Sequence, residues 1–348
     1  MRLQSVHIES LGHALPEERV TSDALEERIA PVYGALGLHV GRLELMSGIR
    51  ERRFWPPGTR PSRVAALAGE EALGRSGIDR GRIGCLVHAS VCRDFLEPAT
   101  ASVVHAYLEL PPTCLAFDLS NACLGFANSL LLVGGMIERG EIEAGLIVAG
   151  EDGRPLVEET LRVLSAAGAV SRDELKAAYA SLTIGSGAVA CVLTHESLSR
   201  TPHRLLGGTA LAATQHHELC SGDHVAGSAD SQGPLMRTDA EALLREGNAL
   251  AARTWERFCA EFDWTPDGVD RIVTHQVGAA HRRLLFETLE LDLERDFPTL
   301  ATLGNIGSVS LPLSLSLAVD EGFVTEGQRV ALLGIGSGLH CLMLAVHW

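Results

Sequence analysis

An α/β architecture of two mixed sheets, with helices packed between and outside them, is what the sequence predicts, and three observations carry the prediction. First, the chain repeats itself: IGSGAVACVL (Ile184 to Leu193) returns as IGSGLHCLML (Ile335 to Leu344). Upstream, ERGEIEAGLIVAG (Glu138 to Gly150) resembles DEGFVTEGQRVALLG (Asp320 to Gly334), with Gly140 matching Gly322 and Gly145 matching Gly327, both 182 residues apart. Second, CLVHAS (Cys85 to Ser90) and IVTHQV (Ile272 to Val277) each follow a helical pattern and read as short buried strands, 187 residues apart. Third, 348 residues with 46% hydrophobic and 21% charged content bury a core large enough for one body of two lobes rather than a string of modules.

In chain order, each half reads strand, helix, strand, helix, strand, helix, strand, strand, the alternation expected of a sheet with crossover helices. The first half, 1–198, carries two additional pieces at 22–60 and 154–182. Their helical patterns, ALEERIAPVYGAL and EETLRVLSAAG, point to lids, tunnel walls or subunit contacts. The second half is 199–348. Three windows (Leu119 to Ile137, Thr299 to Val319, Val330 to Val346) are apolar enough to suggest membrane spans, but Gly, Asn, Ser, Pro or His interrupts each. They read as buried helices and strands, so no integral membrane association is expected.

Composition narrows the function. A formal charge of −15 without any block of Lys or Arg lacks the basic footprint of a nucleic-acid or anionic-membrane binder. Eight cysteines (Cys85, Cys92, Cys114, Cys123, Cys191, Cys220, Cys259, Cys341) are scattered without CxxC pairs, and the opening MRLQSVHIES has no apolar secretory core. Reduced thiols in a cytoplasm are the expectation.

The chemistry centres on DLSNACLGF (Asp118 to Phe126), which reads as a strand turning into a helix with Cys123 at the first helical turn. Free N–H groups and the helix dipole there favour a thiolate. The 182-residue offset carries Cys123 onto Asn305 in GNIGSVS, so the two halves present equivalent turns to one site. His275 ends a strand in VTHQVG, completing an acyl-transfer set. A single cysteine is more often an inert core residue, and a histidine closing an apolar strand is usually structural, as expected for His88; the turn and the repeat set Cys123 apart. In HHELCSGDH, the residues His216, His217, Cys220 and His224 fit no common zinc spacing, and no metal site is expected.

Together, NACLGF, THQV, GNIGSVS and the closing GIGSGLH resemble the thiolase superfamily in its ketoacyl-ACP synthase III branch, over essentially the whole chain. The resemblance implies a duplicated, five-layer αβαβα fold and a homodimer. It also implies an acyl-Cys123 intermediate, an oxyanion hole from the backbone N–H groups of Cys123 and Ser337, and His275 and Asn305 as donors to a second thioester's carbonyl. No cofactor is implied beyond coenzyme A thioesters as substrates. Within the branch, CRDFLEPAT (Cys92 to Thr100), NACL and ALLGIGSGL resemble the long-chain acyl-CoA condensing thiolases of bacterial head-to-head olefin biosynthesis.

By that resemblance Glu97, 26 residues before Cys123, enters the partner subunit's site as the base that removes an alpha proton. The expected reaction is non-decarboxylative Claisen condensation of two fatty acyl-CoA molecules to a 2-alkyl-3-ketoacyl-CoA, passed on to downstream pathway enzymes. The alternative is decarboxylative condensation with a malonyl thioester, which needs no such base. An O- or N-acyltransferase, or an acyl-binding assembly partner without catalysis, are further readings. ELMSGIRERR keeps the SGI-x-x-RR turn of the branch but lacks the Trp and Arg that several synthase III enzymes place just before it against the coenzyme A adenine.

Overall fold

The computed structural model describes residues 1–167, 169–223, 233 and 235–348. The first half runs β1 (Val6–Ala14), β2 (Glu18–Thr21), α1 (Ser22–Arg28), α2 (Ala30–Ala35), α3 (Arg42–Ser47), β3 (Glu51–Phe54), α4 (Pro61–Ser76), β4 (Ile83–His88), α5 (Thr100–Tyr107) and β5 (Leu115–Asp118). It continues through α6 (Gly125–Glu138), β6 (Ala144–Glu151), α7 (Arg154–Ala166), α8 (Arg172–Leu182) and β7 (Gly187–His195). The second half holds β8 (Arg204–Ala212), β9 (Cys220–Asp223), β10 (Leu235–Thr238), α9 (Ala240–Phe262), β11 (Arg271–Thr274) and α10 (Ala279–Thr288). It closes with α11 (Leu300–Leu303), α12 (Ser310–Asp320), β12 (Arg329–Gly336) and β13 (His340–His347).

Each half builds a mixed sheet. In the first, β4 pairs in parallel with β5 and β6, while β6, β7 and β1 are antiparallel neighbours. In the second, β11 and β12 are parallel, and β12, β13 and β8 antiparallel. The two sheets join where β1 runs beside β8, paired at His7 with Arg204 and extended by a bridge between Arg2 and Gly207, so that nine strands follow in the order β11-β12-β13-β8-β1-β7-β6-β4-β5.

Three apolar clusters define the layers. The largest joins the inward faces of both sheets (Val87, Ile147, Leu332, Leu344) to α6 (Phe126, Leu130) and α12 (Leu311, Leu315), the buried helical layer that the apolar windows predicted. A second seals α4 against the outer face of the first sheet, through Val64, Ala68 and Ala72. The third seals α9 and α10 against the second, through Leu250, Phe258 and Phe286. At ~25 cal/mol per Å² of apolar surface, such burial is the main stabilising term.

One predicted strand is missing. The third strand of the second half is reduced to an isolated parallel bridge between Ile272 and Asp296. Asp296 is buried, held by Arg282 and by the Thr274 hydroxyl at 3.2 Å, and Pro298 two residues on has no N–H to extend a ladder.

The two additional pieces pack on each other: Leu25, Ile29, Tyr33 and Leu43 from the first meet Val157, Leu161, Leu175 and Tyr179 from the second in a fourth cluster. The second piece, α7 and α8, lies between β6 and β7, where the second half has only the short turn from β12 to β13. Among the described residues no helix is long and apolar enough to cross a membrane.

Candidate active site

Cys123 lies in the turn between β5 and α6. Ala122 before it takes φ +45°, a left-handed conformation that costs a non-glycine residue roughly 1–2 kcal/mol. Leu124 N–H donates to Asn121 O at 2.9 Å, and Asn121 Nδ2 to Asn128 Oδ1 at 2.8 Å, bracing the turn on α6. Leu124 then packs on β12: a Cβ at Gly334 would lie 2.6 Å from its Cδ2, and one at Gly336 would lie 3.0 Å from its Cγ and 3.7 Å from Cys123 N. Glycine at these positions lets the first half's cysteine turn sit directly on the tip of the second half's strand. The backbone N–H groups of Cys123 and of Ser337, just past that tip, favour the charged form of the sulfur.

The predicted thiolate is corrected. Burial pushes the Cys123 thiol up to about 12, with Cys220 and the Glu151 carboxylate adding to it, and the two N–H groups only partly oppose this. Helix α6 begins at Gly125, two residues after the sulfur, so burial outweighs the dipole.

His275 follows β11, and its N–H donates to Leu333 O of β12 at 2.9 Å, extending the parallel pairing toward the same strand end that carries Ser337. Both ring nitrogens are buried, and neither has a hydrogen-bond partner among the described residues. Burial, with His281 nearby, lowers its pKa to about 4, so the ring is neutral with one N–H to give.

Asn305 is held by a bridge to Ile184: its N–H donates to Thr183 O at 3.0 Å and its carbonyl accepts from Gly185 N–H at 2.8 Å. Its Oδ1 accepts from Gly307 N–H at 3.0 Å, leaving Nδ2 as the end that can donate outward. Thus the asparagine turn leans on the IGSG segment of the first half as the cysteine turn leans on that of the second. Gln276 ties the histidine to the asparagine segment. Its Oε1 accepts from Thr299 and Leu300 N–H, each at 3.0 Å, and its Nε2 donates to Phe297 O at 2.7 Å.

Glu97 is not with them. It is exposed at the tip of the loop between β4 and α5, and no hydrogen bond ties its carboxylate to the described residues of its own chain. Beside it, Leu96 is 98% exposed.

Two site-supporting residues escaped sequence reasoning. Gln276 sits in THQV, where attention fell on the histidine. Glu151 closes β6, is 4% exposed, and accepts hydrogen bonds from Val91 N–H, Cys92 N–H and the Ser308 hydroxyl. The available signal was an acidic residue ending a wholly apolar strand, AGLIVAGE.

His216 and His217 engage Glu246 (3.4 Å) and the Thr214 carbonyl (3.1 Å), and His224 lies outside the described residues. Among the described residues no group of three or more His, Cys, Asp or Glu could hold a metal ion.

A thiol on a turn of the first half, and an imidazole and a carboxamide each carried by a turn of the second, are groups that suit acyl transfer. Known proteins resemble the chain in sequence and shape. The family model for the C-terminal part of 3-oxoacyl-[acyl-carrier-protein (ACP)] synthase III matches residues 259–348. The acyl-CoA:acyl-CoA alkyltransferase of Shewanella oneidensis is 41% identical over 351 aligned positions, covering 100% of both chains. That of Xanthomonas campestris is 36% identical over 348, again covering 100% of both. A crystal structure of Xanthomonas campestris OleA with bound lauric acid and lauroyl-CoA superimposes with a TM-score of 0.93 at 36% identity, covering 99% of this chain and 100% of that one.

Proposed function

This chain belongs to the acyl-CoA:acyl-CoA alkyltransferase family of the thiolase superfamily, and we propose from that premise how its residues divide the work of joining two fatty acyl-CoA molecules. The enzyme carries out a non-decarboxylative Claisen condensation. In the first half-reaction the Cys123 sulfur attacks an acyl-CoA carbonyl; the carbon–sulfur bond to coenzyme A breaks, and the thiol proton ends on the departing sulfur. The oxyanion formed on the way rests on the N–H groups of Cys123 and Ser337.

In the second, Glu97 of a partner copy takes an alpha proton from a second acyl-CoA. His275 and Asn305 Nδ2 donate to that thioester's carbonyl as it gains enolate character. The alpha carbon attacks acyl-Cys123, the cysteine sulfur leaves and is reprotonated, and a 2-alkyl-3-ketoacyl-CoA results. The product keeps its thioester, which suits transfer to downstream pathway enzymes.

The reading needs no metal and no cofactor beyond the two substrates, and it assigns the reaction to a cytoplasm that keeps eight thiols reduced. A homodimer follows from Glu97: its loop projects from the chain with Leu96 exposed, beside the open edge of β5, where Leu115 is 55% exposed. An exposed apolar edge of this kind suits cover by a second copy.

The single observation that carries the reading is the seating of the Cys123 turn on the second half's strand tip, where a Cβ at Gly336, next to Ser337, would stand 3.7 Å from Cys123 N. The test supplies purified protein with one long-chain acyl-CoA and nothing else. A ketone or ketoacid built from two chains, with coenzyme A released, is expected. Product that forms only with a malonyl thioester, in step with labelled carbon dioxide, overturns it.

A further inference from the structure

The loop bearing Glu97 is fastened at both roots to carboxylates that also belong to the rest of the site. At its C-terminal root, Thr100 and Ala101 N–H donate to Asp118, at 2.9 and 2.8 Å; Asp118 ends β5, just ahead of the cysteine turn. At its N-terminal root, Val91 and Cys92 N–H donate to Glu151 Oε1 and Oε2, at 2.9 and 3.0 Å. Glu151 Oε1 also accepts from the Ser308 hydroxyl at 2.8 Å, and Ser308 lies in the turn that begins with Asn305. Midway, Asp94 accepts from Ser62 N–H and hydroxyl, at 2.9 and 2.6 Å, which leaves only the Phe95–Pro98 tip outside this frame.

A carboxylate is the one side chain of this length with acceptor capacity on both ends and no donor. With the Ser308 N–H, at 3.4 Å, the carboxylate has four donors, and glutamine in its place would point an NH2 at one of them, so at least one hydrogen bond would be lost and two donors would face each other in a buried space. The freed root would let the tip wander, and a displacement of about 1 Å in a catalytic group costs on the order of 100-fold.

We propose that Glu151 is a positioning residue for carbon–carbon bond formation: it fixes the root of the Glu97 loop and the Asn305 turn on one rigid group, so that the chain donating the base holds it in register for the chain receiving it. This rests on the reading of Glu97 as a base acting across a dimer.

Mixed dimers separate the two ideas. A Cys123→Ala chain cannot be acylated and a Glu97→Ala chain has no base, so their mixed dimer has one complete site, with Cys123 from the second chain and Glu97 from the first. Condensation recovered on mixing is the reference; no recovery with Glu151 intact overturns the cross-dimer reading and the inference with it. Given recovery, Glu151→Gln placed in the Cys123→Ala chain should lower the turnover of condensation by about tenfold or more, with KM little changed. The acylated chain is unaltered at 151, so acyl mass should appear on its Cys123 at the reference rate. Unchanged condensation overturns the inference and leaves the role of Glu97 standing; a matching loss of acylation overturns it too, as a general structural effect. If the Glu151→Gln chain does not fold, Ser308→Ala in the same chain removes the hydroxyl donor, one of four, and keeps the carboxylate. Reduced condensation with normal acylation supports the inference, and no reduction overturns it.

Discussion

The N–H groups of Cys123 and Ser337 each favour the charged form of the Cys123 sulfur, yet burial lifts the thiol to about 12, so at neutral pH it rests protonated. The N–H groups therefore serve the oxyanion of the passing intermediate more than the resting thiolate. A rate limited by thiolate fraction rises tenfold per pH unit until the pKa is passed. Alkylation of Cys123 by iodoacetamide, followed on its own peptide by mass spectrometry, should climb at roughly that slope from pH 7 to 10 without levelling. A plateau near pH 8 would mean that the dipole wins after all. His275 carries the opposite shift, down to about 4, so its single N–H is retained across the ordinary histidine range. Two buried nitrogens without partners among the described residues cost the free enzyme on the order of 1–3 kcal/mol each, and the donor's share is relieved when a substrate carbonyl accepts.

At the level of elements, the site exists because two strand tips are bare. Leu124 lies over Gly334 and Gly336, and the asparagine turn lies over Gly185, where a Cβ would stand 2.2 Å from the Leu303 carbonyl oxygen and 3.4 Å from Arg52 Cβ. Arg52 beneath is itself buried, donating to Leu182 O at 3.0 Å and Ser22 Oγ at 3.1 Å, so the turn has no room to retreat. Gly185→Ala should therefore displace the Asn305 turn and cost about 1–3 kcal/mol of stability. Condensation should fall while Cys123 acylation persists, since the cysteine turn rests on the other strand tip. Gly187→Ala is the control: its Cβ would meet Ile306 Cδ1 at 3.4 Å, a flexible end that can yield. Thermal unfolding and the two half-reactions measured on both variants check this, and equal behaviour would refute the contrast.

Across the whole molecule, what the sequence made legible was what repeats locally. The glycine turns and their 182-residue spacing foretold the duplicated sheets, and each of the Cys123 and Asn305 turns rests on the glycine segment of the other half. Hidden were features that depend on distant partners: the mutual packing of the two inserted pieces, the collapse of one strand around buried Asp296, and the carboxylate of Glu151, whose donors come from two remote loops. The same burial that hid them shapes stability against acid. His88, 1% exposed between Ser90 and Asp118, has its pKa lowered to about 4 by burial, as does His275. With the folded pKa below the unfolded value of ~6.5, the unfolded chain binds more protons between pH 4 and 6.5, so stability rises with pH in that window and is lost as pH falls through it. Each histidine contributes a slope of up to ~1.4 kcal/mol per pH unit. Asp152 and Asp296, whose pKa values burial raises, act in the opposite sense: the folded chain holds their protons more tightly, so stability falls as pH rises from ~3.8 through the raised values. The histidine effect should outweigh theirs toward neutral pH, and the unfolding midpoint should drop steadily from pH 7 to 5. His203 and His281, also lowered by burial, act in the same sense. His88→Asn, which deletes one of these titrations, should make that drop shallower; an unchanged slope would show that His88 is protonated in the folded chain and paired with Asp118.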